Sequence, residues 1–244
     1  EALQAYECML KDGIEPNSYT FVSLLRACGD IQDLDQGKRF HEEAQQRDFL
    51  GNIFVANTLI SMYGKCSYVH EATNIFNQSN KKDVISWNAL ITGYVQHGFN
   101  IEALNYFKRI YDESVSPNQV TFVCVLKACG TLHNLKLVHH KIVKARREEV
   151  LGNILIDLYA KHGSVSEGHK IFRRLTNADV AAWTAMIGGF VEKLPHHALH
   201  MFEEMKQANI KANKVTFLCV LKACCNIQVI QKGRLAHDEI IRSG

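Results

Sequence analysis

The chain has 244 residues, 47% of them hydrophobic, and 28 Lys and Arg against 25 Asp and Glu give a formal net charge of +3. There is enough apolar material for a sizeable core, but no stretch approaches the run of about 18 apolar residues that would cross a membrane. A charge this small neither demands a nucleic-acid partner nor excludes one, since a local basic groove can hide in a near-neutral total. The chain opens on EALQAY without an initiator Met, so it reads as a fragment, and the absence of a targeting segment carries no information.

Taken in chain order, the segments answer one another. EALQAYECML at Glu1 matches EALNYFKRI at Glu102–Ile110 and HALHMFEEM at His197–Met205. TFVSLLRACG at Thr20–Gly29 matches TFVCVLKACG at Thr121–Gly130 and TFLCVLKACC at Thr216–Cys225, with starts 101 and 95 residues apart. NTLISMYGKC at Asn57–Cys66 answers NILIDLYAKHG at Asn153–Gly163, and DVISWNALITGYVQHG at Asp83–Gly98 answers DVAAWTAMIGGFVEKL at Asp179–Leu194. A unit of about a hundred residues therefore repeats, and each divides into three smaller ones.

The smaller units carry helical periodicity. Apolar residues fall at i, i+1 and i+4 in Leu59/Ile60/Tyr63, Leu90/Ile91/Tyr94, Leu155/Ile156/Tyr159 and Met186/Ile187/Phe190. The segments after them place a small residue four before an aromatic: Ala72/Phe76, Ala103/Phe107, Gly168/Phe172 and Ala198/Phe202. Spacings of three and four share one face of a helix, where a strand would need alternation. Gly98 and Gly163 stand where the first helix of a pair must turn in a left-handed conformation, and Asn100, Ser164 and Pro195 open the second helices as caps or first-turn residues. A pair of helices of roughly 12 residues cannot bury its apolar face alone, whereas stacked pairs can. The expected fold is all-α: a right-handed superhelical α-solenoid of helix-turn-helix repeats, with the first helices lining the concave side.

Two chemical readings fall away. Cys28, Cys129 and Cys224 occupy one repeat position, Cys124 and Cys219 another, and the C-x₂-C spacing of a zinc site is absent, so the cysteines read as packing groups. Eight cysteines without a disulfide spacing suggest a reducing compartment. His41–Glu43 and His237–Glu239 match the H-x-E half of a zinc deaminase, but no P-C-x-x-C follows either, and both read as solvated helix faces. No catalytic residue, metal or cofactor is assigned.

Unit lengths of 35, 31 and 35 residues for 18–52, 53–83 and 84–118, with the phrases NTLISMYGKC, DVISWNALITGYVQHG and EALNYFKRI…SPNQVTF, resemble pentatricopeptide repeat proteins of the plant PLS class, which alternates P, long (L) and short (S) motifs. The resemblance covers essentially the whole chain. It assigns 1–17 as a partial P motif, 18–52 as L, 53–83 as S, 84–118 as P, 119–148 as a short L, 149–179 as S, 180–213 as P and 214–244 as a partial L. The second L is about five residues short around Lys136–Val150, a departure expected to tilt the stacking. The last full P motif is one residue short and has Ala212 where Pro16 and Pro117 stand in its counterparts.

The resemblance implies binding of single-stranded RNA at one nucleotide per motif, read by the fifth and last residues: Asn57 with Asp83, Asn88 with Asn118, Asn153 with Asp179, and Thr184 with Asn213. It implies that Phe54, Ile85, Val150 and Ala181 sandwich the bases and that Lys65 and Lys161 contact phosphate. By the family's code Asn/Asp favours U, Asn/Asn C and Thr/Asn A, so the motifs spell U, C, any base, U, A. It further implies an organellar RNA-processing or editing factor in mitochondrion or chloroplast, with no membrane partner. The residues alone leave two alternatives open. Asp83, Asn118, Asp179 and Asn213 each precede a first helix, where a turn or cap residue is equally at home. Asn57, Asn88, Asn153 and Thr184 form a polar ladder two residues before an apolar pair, but a protein-binding solenoid of the tetratricopeptide kind would share the rest. Val22, Val123 and Leu218 occupy the ladder position in the L motifs and cannot hydrogen-bond a base edge, which suits contact with an accessory protein instead.

Overall fold

A computed structural model describes residues 2–228 of the chain. Its regular structure is helical: α1 (Ala2–Lys11), α2 (Ser18–Ile31), α3 (Leu34–Gln46), α4 (Ile53–Lys65), α5 (Val69–Gln78), α6 (Val84–Gln96), α7 (Asn100–Asp112), α8 (Gln119–Lys127), α9 (Leu132–Lys144), α10 (Glu148–Lys161), α11 (Val165–Phe172), α12 (Val180–Val191), α13 (Pro195–Gln207) and α14 (Lys214–Asn226). His237–Glu239 and the end of the last partial motif lie outside the described residues. None of these helices is long and apolar enough to cross a membrane.

The chain forms two compact units, Glu1–Ala128 and Cys129–Gly244. In the first, α2, α4, α6 and α8 stack in sequence order, and α3, α5 and α7 pack behind them as the return arms of successive hairpins. In the second, α10, α12 and α14 form the row, backed by α9, α11 and α13. This is an all-α solenoid of helical hairpins. The composition of the two kinds of helix explains the layering. A first helix is covered on several sides, and α4 buries Val55, Ala56, Leu59, Ile60, Met62 and Tyr63, whereas α5 buries only the single stripe Val69, Ala72, Ile75 and Phe76. The small residue paired with an aromatic four later is this stripe.

Close approach between first helices depends on residues without a side chain. The Cβ that a larger residue would carry at Gly64 meets the Gly93 Cα at 3.3 Å, and one at Gly93 meets the Gly64 Cα at 3.2 Å, so α4 and α6 touch backbone to backbone near their C-terminal ends. Gly98 and Gly163 adopt the expected left-handed turn, with φ of 78° and 73°. Ser67 takes the same conformation at the equivalent place, φ 68°, which is why glycine does not mark every turn. Asn100, Ser164 and Pro195 open the second helices as expected. Pro195 is the first helical residue of α13, Asn100 begins α7 after Phe99, and Ser164, at the N-cap of α11, makes no side-chain cap bond. Asp33 and Thr131 cap α3 and α9, whereas α5, α7, α11 and α13 have no side-chain cap bond and are held by apolar contact with the first helices.

The shortening near the middle of the chain takes residues from two places. α8 has 9 residues where α2 has 14, and only residues 145–147 link α9 to α10 where 47–52 link α3 to α4. α4 is capped by Asn52, whereas α10 starts from Arg147 with no side-chain cap. The division between the two units falls inside this shortened stretch.

Three of the repeated cysteines, Cys28, Cys129 and Cys224, are buried, and burial pushes the Cys28 thiol up to about 11 and the Cys129 thiol to about 12. Cys124 and Cys219 are only half-buried. Cys219 borders the groove of the second unit while burial still pushes its thiol up, and Cys124 Sγ meets Thr92 Oγ1 at 3.1 Å, so the second cysteine position lies at the edge of the packing. Among the described residues, no group of three or more His, Cys, Asp and Glu stands together that could hold a metal ion.

Candidate nucleic-acid interface

In each unit the row of first helices lines a groove. The groove of the first unit encloses about 480 Å³ and is lined by residues of α2, α4, α6 and α8, including Asn57, Ile85, Asn88 and Lys65. That of the second unit encloses about 850 Å³ and includes Asn153, Ala181, Thr184, Lys161 and Asn213.

The polar ladder is built by the helix starts. Asn17, Asn52, Asp83, Asn118, Asp179 and Asn213 each cap the first helix that follows, their side chains accepting backbone N–H groups of its first turn. At four of them the third helical residue is a hydroxyl that bonds back to the cap N–H: Thr20, Ser86, Thr121 and Thr216.

The caps also reach the preceding first helix. Asp83 Oδ1 accepts from Ile85 N at 3.0 Å, from Ser86 N at 2.9 Å and from Asn57 Nδ2 at 3.1 Å. Asn57 Oδ1 accepts from Ser86 Oγ at 2.5 Å. One repeat on, Asn118 Oδ1 accepts from Thr121 N at 3.0 Å and from Asn88 Nδ2 at 3.2 Å, while Asn88 Oδ1 accepts from Thr121 Oγ1 at 2.6 Å. In the second unit Asp179 Oδ1 accepts from Ala182 N at 2.9 Å and from Asn153 Nδ2 at 3.0 Å. Thr184 differs from expectation: its hydroxyl bonds Thr216 Oγ1 at 2.7 Å, and Thr216 in turn bonds Asn213 Oδ1 at 3.0 Å, so the fourth pair is joined through a third residue.

The chemistry of the cap fixes which atom is which. A backbone N–H can only donate, so the atom facing it is an oxygen; the amide atom of Asn57 or Asn88 facing that oxygen must then be nitrogen. Each capping side chain is left with one further polar atom and no protein partner among the described residues. It is an acceptor, Oδ2, at Asp83 and Asp179, and a donor, Nδ2, at Asn118 and Asn213. Asn57 and Asn88 are 7% and 9% exposed, buried enough to be held in place. Sequence reasoning missed Ser86, Thr121 and Thr216 as members of these clusters. The N/D-x-x-S/T spacing in DVIS, NQVT and NKVT is the signal that could have found them.

Burial works to raise the Asp83 carboxyl, but hydrogen bonds from Ser86, Asn57 and Ile85 prevail and hold it below the ordinary carboxylate range. A lowered folded value stabilises the fold above the unfolded value, and that contribution is lost as pH falls through the folded one. The melting temperature should therefore drop on acidification below about pH 4, and part of that drop should vanish in Asp83→Asn. An identical acid profile for both proteins would show that this network does not hold the carboxylate.

Beside the polar ladder runs an apolar one. Phe54, Ile85 and Val150 are exposed at 61%, 54% and 55%, and Ala181 is exposed in the same position. Lys65 reaches across to Asp30 on α2, Nζ to Oδ1 2.6 Å, and Lys161 pairs with Asp157 on its own helix at 2.7 Å. Both ammonium groups remain at the surface, each with a carboxylate beside it. At the ladder position of the remaining helices, Val22 and Val123 are half-buried and Leu218 is 65% exposed.

Fold and site together define a helical-repeat protein with four polar clusters along its first helices, at Asn57/Asp83, Asn88/Asn118, Asn153/Asp179 and Thr184/Asn213. A sequence model of the PPR repeat family matches residues 82–131 and 178–226, and a model of the PPR repeat matches 54–84 and 153–180, together more than half of the chain. The chain belongs to the pentatricopeptide repeat family. It is 34% identical over 239 residues to a chloroplastic pentatricopeptide repeat-containing protein of Arabidopsis thaliana (At1g11290), covering 96% of this chain and 30% of that protein. It is 32% identical over 237 residues to a mitochondrial one (At2g03880), covering 96% and 37%. The chain thus spans about a third of the length of these relatives. The crystal structure of the pentatricopeptide repeat protein PPR10 in complex with an 18-nt psaJ RNA element shares the fold, with a TM-score of 0.67 at 17% identity over 96% of this chain and 36% of that one.

Proposed function

We propose that the chain binds single-stranded RNA sequence-specifically, one nucleotide per repeat, as part of a mitochondrial or chloroplast RNA-processing or editing factor. The observation that carries this reading is the unused polar atom beside each bonded pair. A uracil offers a donor at N3, which suits the free Oδ2 of Asp83 or Asp179. Cytosine N3 and adenine N1 are acceptors, which suit the free Nδ2 of Asn118 or Asn213. Asn at the fifth position reaches towards a pyrimidine, and the shorter Thr184 leaves room for a purine. Phe54, Ile85, Val150 and Ala181 supply flat apolar contact to the bases, and Lys65 and Lys161 contact phosphate by leaving Asp30 and Asp157. The first unit then reads U and C, the second U and A. The exposed Leu218 favours a second, narrower role for the L motifs as contacts for an accessory editing-factor protein.

Selection of the 244-residue chain against a random RNA pool tests the reading. Enrichment of U-C and U-A steps separated by one free base is expected, with each mismatch costing roughly 1–3 kcal/mol and binding weakening with salt. Thr184→Asn should then shift the last base from A towards C and leave the others alone. A pool that returns without sequence preference, or a Thr184→Asn protein that loses affinity equally for every RNA, would refute it.

A further inference from the structure

We propose that the hydroxyl at the third residue of a first helix determines how strictly the preceding repeat reads its base, so that Ser86, Thr121 and Thr216 are positioning residues for specificity. The inference rests on the base-reading role proposed above and adds a third residue to each reading pair, taken from the next repeat.

The geometry that carries it is a one-proton problem. Ser86 Oγ accepts the Asp83 N–H at 3.2 Å, so its own proton is available to an acceptor. Two lie in reach, Asn57 Oδ1 at 2.5 Å and Asp83 Oδ1 at 3.1 Å, and the shorter contact is the one to Asn57. Thr121 repeats the arrangement, accepting from Asn118 N at 3.1 Å and donating to Asn88 Oδ1 at 2.6 Å. Thr216 accepts from Asn213 N at 3.2 Å and bonds the Thr184 hydroxyl at 2.7 Å. Ser86 is 1% exposed, and Thr121 and Thr216 are fully buried, so water cannot take the place of the hydroxyl. At Asn57 and Asn88 the cap oxygen holds the nitrogen of the reading amide and the hydroxyl holds its oxygen, while at Thr184 the hydroxyl of Thr216 is the one side-chain contact among the described residues. With both ends held, the amide plane cannot turn to offer a donor where the base presents one, and a wrong base meets a mismatched atom rather than an adaptable one.

One cluster lacks the hydroxyl. Asp179 is followed by Ala182 at the third position, so Asn153 keeps only its bond to Asp179, while Asn57, with the same Asp partner, keeps two. Asn57/Asp83 and Asn153/Asp179 have identical reading residues, and a two-residue code gives them identical stringency. The three-residue cluster makes the first strict and the second lenient.

The test measures affinity of the 244-residue chain for synthetic RNA oligomers carrying U-C-N-U-A with one base varied at a time. The unaltered chain should discriminate U from C more sharply at the first base than at the fourth. Ser86→Ala should lower discrimination at the first base about five-fold, one ordinary hydrogen bond, with the other bases unchanged and Ser86→Thr restoring it. Ala182→Ser, in the buried position that Ser86 fills one unit earlier, should raise discrimination at the fourth base by a similar factor; this gain decides the matter if Ser86→Ala fails to fold. Equal stringency at the two sites, a Ser86→Ala loss spread evenly over all RNAs, or no gain from Ala182→Ser overturns the inference. Asp83→Asn separates the two levels. If it changes the preferred first base while Ser86→Ala and Ala182→Ser do nothing, base reading stands and the positioning role falls; if it changes no preference, both fall.

Discussion

Asp83→Asn is expected to change the base preferred by the first complete pair from U to C. The substitution leaves the cap intact, because Asn17, Asn118 and Asn213 cap their helices through the same Oδ1 contacts, and Asn and Asp rank equally as caps. What changes is the remaining atom: an ionised acceptor becomes an amide donor. Uracil N3–H then faces a second donor, while cytosine N3 gains one. The preference between the two bases should move by about 1–3 kcal/mol, roughly five- to 150-fold in relative affinity. Competition between two oligomers differing only at that base measures it directly. A protein that melts normally yet still prefers U would remove Asp83 from the reading pair.

Trp87→Ala should cost the first unit about 3–5 kcal/mol. Trp87 is fully buried on α6, edge-on to Phe76 at 4.8 Å between ring centroids and tilted against Tyr106 at 6.3 Å. It therefore joins a first helix to the second helices on both sides, and in a stack of repeats each such joint carries neighbouring units. Its Nε1 is buried with no hydrogen-bond partner. Trp87→Phe keeps most of the aromatic contact and removes that unsatisfied donor, so it should lose markedly less than the alanine variant. Urea unfolding of the three proteins gives the comparison, and similar losses for Phe and Ala would mean that the indole N–H is satisfied in solution. The second unit repeats the contact in Trp183 and Phe172 at 4.7 Å, so Trp183→Ala offers an independent check.

The relation between capping and reading shows where sequence reasoning reached its limit. From the sequence, Asp83 and Asn118 could be helix caps or base readers, and the two looked like alternatives. In the structure they are compatible: one oxygen of each side chain caps the helix, and its other polar atom has no protein partner among the described residues. The cap imposes this division, because a backbone N–H accepts nothing and so dictates which atom turns inward.

Helix existence, repeat length and the positions of the ladder residues were set by the sequence alone. Apolar spacing of three and four, left-handed glycines at Gly98 and Gly163, and cap residues before the first helices are local signals, and local backbone sterics and hydrogen bonding act on them directly. Tertiary structure decided what a linear pattern cannot express. Ser86 and Asn57 stand 29 residues apart and meet only because α6 stacks on α4. Lys65 appears in the sequence as an available cation, yet it pairs with Asp30 on another helix. Cys28 and Cys219, at different repeat positions, both read as packing groups in the sequence, yet Cys28 is buried and Cys219 only half-buried beside the groove. In each case the stacking of helices decides which residues come together, as where Gly64 and Gly93 let α4 and α6 approach backbone to backbone and bring Ser86 to Asn57.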